Sequence, residues 1–115
     1  MDTEGLYCKI YVNSEQDRTT LLRQVAALCL GAVTGRTVNS TELVVDISRN
    51  EDSDPVRAQT PDGFVYFHYY MDVLPADGVD RGSYIAAIRK LILGLTKMAG
   101  DTVAACDFED ELGDS

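Results

Sequence analysis

The feature that most constrains the fold is an unbroken alternation along Phe64–Leu74. Successive side chains of a β-strand point to opposite faces, so this pattern predicts a strand with two different sides. One side is mainly apolar and holds Val65, Phe67, Tyr69, Met71 and Val73. The other side holds Phe64, Tyr66, His68, Tyr70 and Asp72. The aromatic rings therefore divide between a covered face and an open face of one sheet.

Three other segments are also predicted to be strands: Gly5–Val12, Thr41–Arg49 and Thr102–Phe108. Alternation in the first two separates an inward set from an outward set. The inward set is Leu6, Cys8, Ile10, Val12, Leu43, Val45 and Ile47. The outward set includes Tyr7, Lys9, Tyr11, Val44 and Asp46. The inward residues are the more apolar set, so we expect them to face the core.

Apolar residues recur at helical spacing in Glu15–Leu30 and Asp80–Ala99, so each segment predicts an amphipathic helix. Ser14 is the expected N-cap of the first helix. Residues 32–40 show no clear period and are interpreted as a connection. Residues 50–63 are polar, contain two prolines and exceed the usual length of a hairpin loop, so we expect them to be mobile or functional.

The predicted order is strand, helix, strand, strand, helix, strand. Two strand–helix–strand units with right-handed crossovers give a ferredoxin-like βαββαβ fold of the α+β class. It predicts a four-stranded antiparallel sheet with both helices on one face. The 115 residues are predicted to form a single domain, residues 1–115.

This fold places the first and third strands side by side in the middle of the sheet. Their outward residues would then form a tyrosine-rich platform on the uncovered face. Reversing the two faces would bury Lys9, and desolvating that charge costs several kcal/mol unless it is paired. The predicted platform consists of Tyr7, Lys9, Tyr11, Tyr66, His68 and Tyr70, with Val44 and Asp46 beside it.

The formal net charge is −9, and six acidic residues fall in the last fifteen positions. Such a field repels nucleic acid and anionic membranes and attracts a basic protein. We therefore expect a basic protein partner or self-association through the open face, while solvated tyrosines and simple solubility remain alternatives. The predicted contacts are Tyr7, Tyr11, Asp46, Tyr66, His68, Tyr70, Asp107, Glu109, Asp110 and Glu111.

The residue pattern contains no strong catalytic, metal or cofactor motif. His68 could act as a general base, but Asp72 on the same strand would lie about 13 Å away, and Asp46 depends on strand register. Cys8 is predicted on the opposite face from His68. Three widely spaced cysteines without a C-x-x-C pair favour buried thiols over a zinc site. These features favour a binding protein over an enzyme.

The N-terminal segment carries acidic residues where a secretory signal would carry basic ones, and no apolar stretch is long enough to span a bilayer. Both features predict a cytoplasmic protein without a membrane segment.

The segments RNEDSDP, TPDGFVYFHYYMDVLPADGVDRGSYIAAIRKLILGL and AACDFEDEL resemble a family of small, acidic, functionally uncharacterised bacterial proteins. In size, acidity and two-layer fold, such proteins are similar to immunity proteins of bacterial toxin systems. The resemblance implies a non-enzymatic inhibitor of a basic toxin or nuclease, and it assigns no catalytic residue. The alternative is a small dimeric ferredoxin-like enzyme or ligand-binding protein with a pocket around His68.

Overall fold

The computed structural model describes residues 5–112, except for the side chains of residues 109 and 110. The described chain has a mixed α+β architecture with two α-helices and an antiparallel sheet. The strands are β1 (Cys8–Asn13), β2 (Ala32–Thr34), β3 (Thr37–Asn39), β4 (Leu43–Arg49), β5 (Tyr69–Pro75) and β6 (Asp101–Cys106). The helices are α1 (Arg18–Cys29) and α2 (Arg81–Met98).

The sheet has six strands in the order β2-β3-β4-β5-β1-β6, and every neighbouring pair is antiparallel. The predicted strand number of four is therefore wrong. The two additional strands, β2 and β3, form a hairpin in the segment interpreted as a connection. Each is only three residues long, too short for an alternating pattern to be recognised in the sequence.

The helix and strand boundaries also differ from those predicted. Asp17, rather than Ser14, is the N-cap of α1, and its Oδ1 accepts a hydrogen bond from the backbone N–H of Thr20 at 2.8 Å. Ser14 is buried and accepts from the backbone N–H of Gln16 at 3.2 Å. Asp80 caps α2 in the same way, through the backbone N–H of Ser83. Carboxylate caps suit these positions because the first N–H groups of a helix lack intrahelical partners.

The third predicted strand begins five residues later than expected, because Gly63–Tyr66 forms a 3-10 helix. The side chain of buried Asn50 donates to the carbonyl oxygens of Val65 and Phe67, at 2.8 and 2.9 Å. These carbonyls are thus satisfied by a side chain instead of a neighbouring strand. The expectation that Val65 faces the core is wrong, since this side chain is exposed.

One face of the sheet carries the core. Alternate residues of β1, β4 and β5 pack with the inward sides of both helices in a single apolar cluster. The predicted inward set of these strands is confirmed as buried, which places both helices on the same face. Burial of large apolar side chains contributes about 1.5–3 kcal/mol each. Members from the strands are Cys8, Ile10, Val12, Leu43, Val45, Ile47, Tyr69, Met71 and Val73.

The core also accommodates a buried hydroxyl group. Tyr84 of α2 is fully buried, and its hydroxyl donates to the backbone carbonyls of Leu6 and Val73. Leaving a buried hydroxyl without a partner would cost free energy. The two hydrogen bonds therefore stabilise the packing of α2 against β5 and against the residues just before β1. Of the three predicted buried thiols, Cys8 is fully buried, whereas Cys29 and Cys106 are only partly so. In the described chain, neither helix has the length and apolarity needed to cross a bilayer.

Candidate functional site

We call the face of the sheet opposite the helices the open face. The 51–66 segment lies over one end of it, where the Phe64 ring contacts Tyr11, whereas the end at Tyr7 and Leu74 is exposed. Residues that are partners in strand register lie side by side on the open face. Asp46 of β4 faces Asp72 of β5, which faces Lys9 of β1. In the next row, Tyr70 faces Tyr11. The open face therefore carries a row of charges beside a row of rings.

The rings on the open face contact one another. The centroids of Tyr11 and Tyr70 lie 6.5 Å apart, and those of Tyr11 and Phe64 lie 5.3 Å apart with the rings nearly perpendicular. The ammonium of Lys9 lies 4.4 Å from the Tyr70 centroid and 5.3 Å from the Tyr11 centroid. The electron-rich ring faces thus hold a cation, an arrangement worth about 0.5–1 kcal/mol at exposed sites.

The carboxylates of the open face accept hydrogen bonds from neighbouring hydroxyls. Tyr7 donates to Asp72, and Thr37 donates to Asp46. Partial burial, followed by the hydrogen bond to the Asp72 carboxylate, raises the pKa of Tyr7 well above its usual value. Tyr7 therefore remains a neutral donor across the physiological range of pH.

A groove of about 1100 Å³ opens beside the rings, between the sheet and the 51–66 segment. Tyr11, Tyr66 and Tyr70 line it together with Val65. Five cationic side chains also line the groove: Lys9, Arg18, Arg36, Arg49 and Arg57. Three acidic residues share it: Glu51, Asp52 and Asp54. We refer to this feature as the cationic groove.

Local contacts hold two of the arginines in place. Arg57 lies 3.6 Å from the Asp54 carboxylate and 5.4 Å from the centroid of the Tyr66 ring. Nη1 of Arg36, in the turn between β2 and β3, donates to the hydroxyl of Ser48 at 3.0 Å. The hydroxyl partner leaves the charge of Arg36 uncompensated, whereas Asp54 offsets that of Arg57.

His68 lines an adjoining cleft of about 430 Å³ beside the start of α1, which shares Arg49 and Ser53 with the cationic groove. Glu15, Asp17, Arg49 and Ser53 also line this cleft, whereas Asp46 and Asp72 do not. Nδ1 of His68 is buried and has no hydrogen-bond partner in residues 5–112. The groups that could orient His68 therefore come from the α1 entry rather than from the sheet.

The acidic C-terminal segment lies against α2, not on the open face. The Glu111 carboxylate forms a two-point ion pair with Arg81, which lowers its pKa. Arg89 donates to the backbone carbonyls of Glu111 and Leu112. Buried Phe108 packs near Tyr84, with ring centroids 5.9 Å apart. Asp107 is exposed in this segment.

The ten residues predicted as contacts therefore occupy three places. The first is the open face with its groove, which holds Tyr7, Tyr11, Asp46, Tyr66 and Tyr70. The second is the cleft at His68. The third is the C-terminal segment on the helix side, where Asp107 and Glu111 lie; the side chains of Glu109 and Asp110 are outside the described part of the chain.

Sequence reasoning missed the four arginines of the groove. They come from α1, the β2–β3 turn, the end of β4 and the 51–66 segment, and no sequence spacing connects them. The one relevant signal was the unusual length of the 50–63 loop, which supplies one wall of the groove.

Comparisons with known proteins give no matching family model, no similar curated protein and no similar solved structure. Within residues 5–112, no three His, Cys, Asp or Glu side chains are grouped as a metal site would require.

Proposed function

We propose that the chain is a non-enzymatic protein-binding module whose docking surface is the open face. The observation that carries this proposal is the end of the open face away from the 51–66 segment, where large apolar side chains are exposed. Leu74 is 47% exposed and Tyr7 is 44% exposed. Continuing the β1–β5 register by one residue places these two side chains opposite each other. Tyrosine is enriched in binding hot spots and interface cores, and an exposed leucine beside it adds apolar area that a partner can bury.

The arrangement of the elements supports a ferredoxin-like fold extended by the β2–β3 hairpin. In the sheet, β5 lies between β4 and β1, and β1 lies between β5 and β6. This interleaving is what two split strand–helix–strand units produce. The added hairpin pairs with β4 and so lengthens the open face on that side.

A matched pair of substitutions tests the docking surface. The full-length chain is used to isolate its partner from the parent cell, and affinity is then measured by biolayer interferometry. Leu74→Asp changes the open face, whereas Leu93→Asp changes a 58% exposed leucine on α2. We expect Leu74→Asp to weaken binding about 30-fold, as for a hot-spot residue worth about 2 kcal/mol, and Leu93→Asp to have no effect. The opposite ranking would place docking on the helix side.

Within this proposal, the partner is a basic toxin or nuclease that an immunity-like protein inhibits. The net charge of −9 supports it, because a strongly acidic protein accelerates its encounter with a basic one. Asp107 is exposed and lies outside the open face, so its role would be steering rather than contact. We expect Asp107→Lys to lower the association rate and flatten its salt dependence without changing the dissociation rate. Unchanged association kinetics would argue against a basic partner.

Self-association is the other occupant that the open face could accept. Light scattering of the purified chain separates the two possibilities. A wild-type dimer that becomes monomeric with Leu74→Asp would identify a second copy of the chain as the occupant. A wild-type monomer would favour a different protein.

The cleft at His68 supports a second candidate function, a small dimeric enzyme or a ligand-binding protein. The supporting observation is the buried, unpartnered Nδ1 of His68 beside Asp17 and Glu15. A ligand that hydrogen-bonds this ring would change the NMR chemical shifts of the imidazole. We expect such a change at His68 on ligand binding, and unchanged chemical shifts with all ligands tried would remove this candidate.

A further inference from the structure

The cationic groove concentrates positive charge in a chain that is acidic overall. It holds five of the ten Lys and Arg residues but only three of the nineteen Asp and Glu residues. Five cations against three acids give the groove a formal charge of +2, and the net charge of −9 leaves −11 for the rest of the chain. Like charges brought together repel one another, so such an arrangement favours an anionic ligand.

Four of the five cations lack an ion-pair partner among the described side chains, the exception being Arg57 with Asp54. Lys9 contacts aromatic rings and Arg36 donates to Ser48, whereas Arg18 and Arg49 line the groove with neither kind of contact. Their guanidinium groups can donate two parallel hydrogen bonds to one oxyanion. The hydroxyls of Ser48 and Ser53 line the same groove.

The rings in the groove favour an anion over a stacked base. Lys9 lies over Tyr70 and Tyr11, and Arg57 lies over Tyr66. Each cation lies against its ring, which leaves less of that ring free for a stacked nucleobase. The rings instead hold positive charge in the groove.

The size of the positive region favours a small ligand over a polymer. A long nucleic acid would extend from the groove over the acidic remainder of the surface, where its phosphates are repelled. A volume of about 1100 Å³ is comparable with that of small-molecule sites. A phosphate group offers more charge and more acceptor oxygens than a single carboxylate, which matches several convergent donors.

We propose that the cationic groove binds a small phosphorylated ligand, whose phosphates accept hydrogen bonds from the unpaired guanidinium groups of Arg18 and Arg49. This inference does not depend on the protein partner proposed above. A chain that binds no protein partner could still bind phosphate in the groove.

The experiment measures binding to the full-length chain by isothermal titration calorimetry, with inorganic pyrophosphate and ADP as separate probes. We expect a dissociation constant of about 1 mM or tighter. Arg49→Ala removes an unpaired guanidinium, so we expect at least about a tenfold loss of affinity. The control is Arg23→Ala, which removes an exposed arginine of α1 outside the groove and should leave affinity unchanged. Equal losses in the two variants would overturn the proposal.

NMR of the wild-type chain locates the binding site without relying on a variant that could be misfolded. Pyrophosphate should shift the backbone amide signals of Ser48 and Ser53 in the wild-type chain and leave those of α2 unchanged.

The relative affinities of the probes identify the class of ligand. Tighter binding of ADP than of pyrophosphate would assign the ligand a nucleoside part, and equal binding would indicate recognition of the phosphates alone. Failure of both probes at concentrations of about 10 mM would refute the proposal. Tighter binding of a hexaglutamate peptide or of oligothymidine would also refute it, by assigning the groove to a protein segment or to nucleic acid.

Discussion

The ammonium of Lys9 lies 4.4 Å from the centroid of the Tyr70 ring, although strand register places Lys9 directly opposite Asp72. The Asp72 carboxylate instead accepts a hydrogen bond from Tyr7. A lysine in the middle of a sheet is thus stabilised by rings on its own face, and its charge lines the cationic groove.

The Lys9–Tyr70 contact should appear as a coupling energy in a double-mutant cycle. Lys9→Met keeps the aliphatic stem and removes the charge, and Tyr70→Leu removes the ring. We expect the two substitutions to be non-additive by about 0.5–1 kcal/mol in urea denaturation. Lys97→Met, on the exposed side of α2, is the control and should show no coupling to Tyr70→Leu. Additive effects of Lys9→Met and Tyr70→Leu would show that the contact contributes nothing to stability.

Asn50 organises the groove wall through its buried amide, which donates to the carbonyls of Val65 and Phe67 and accepts from the backbone N–H of Asp52. Asn50→Ala would leave these groups without a partner. We expect a loss of about 1–3 kcal/mol in the free energy of unfolding, measured by chemical denaturation. Asn39→Ala, at an exposed position of β3, should change stability by less than about 0.5 kcal/mol. Similar effects of both substitutions would mean that solvent replaces the bonds of Asn50.

The two-sided pattern of the sheet was predictable from the sequence because burial acts on every second residue of a strand. Cys8, Ile10 and Val12 alternate with Lys9 and Tyr11, and the structure divides them between the core and the open face as expected. The two long helices were predictable for the same reason, since their apolar residues recur along one side.

The features that were not predictable from the sequence depend on contacts between residues far apart in the chain. No local pattern marks Gly63–Tyr66 as a 3-10 helix, because its carbonyls are claimed by Asn50, fifteen or more positions earlier. The cationic groove was not predictable for a similar reason. The predicted platform contained Lys9 but no arginine, and the β2–β3 turn brings in Arg36 only once the unpredicted hairpin has formed.

Cys29 should react slowly with alkylating agents at neutral pH. Burial is the main factor that raises the pKa of its thiol from 9.0 to about 11, and Glu42 adds to the effect. Since the thiolate is the reactive form, the alkylation rate should keep rising with pH up to about 11. Peptide mapping by mass spectrometry after iodoacetamide treatment follows this residue separately from the other cysteines. A rate that levels off near pH 9, as for an ordinary thiol, would contradict the raised pKa.

The same shift has a consequence for stability. A thiol whose pKa is higher in the folded chain than in the unfolded chain binds its proton more tightly when folded. Its contribution is therefore complete below pH 9 and decreases as the pH rises towards 11. We expect Cys29→Ser to flatten the decline in the free energy of unfolding over this interval. An equally steep decline in the variant would assign the pH dependence to other groups.

Gly63 should be intolerant of any side chain, because a Cβ atom there would lie 2.0 Å from the backbone carbonyl oxygen of Arg57. This close approach joins the 3-10 helix at Arg57–Gln59 to that at Gly63–Tyr66, and so positions Arg57 over Tyr66. Since backbone must move to relieve the clash, we expect Gly63→Ala to lower the free energy of unfolding by about 1–3 kcal/mol. Gly82→Ala is the control: its Cβ would meet only the Asp80 side chain at 3.4 Å, and alanine favours helix by up to about 1 kcal/mol. Equal stability of the two variants would show that the 51–66 segment can shift freely, and would remove the physical basis for a preformed groove.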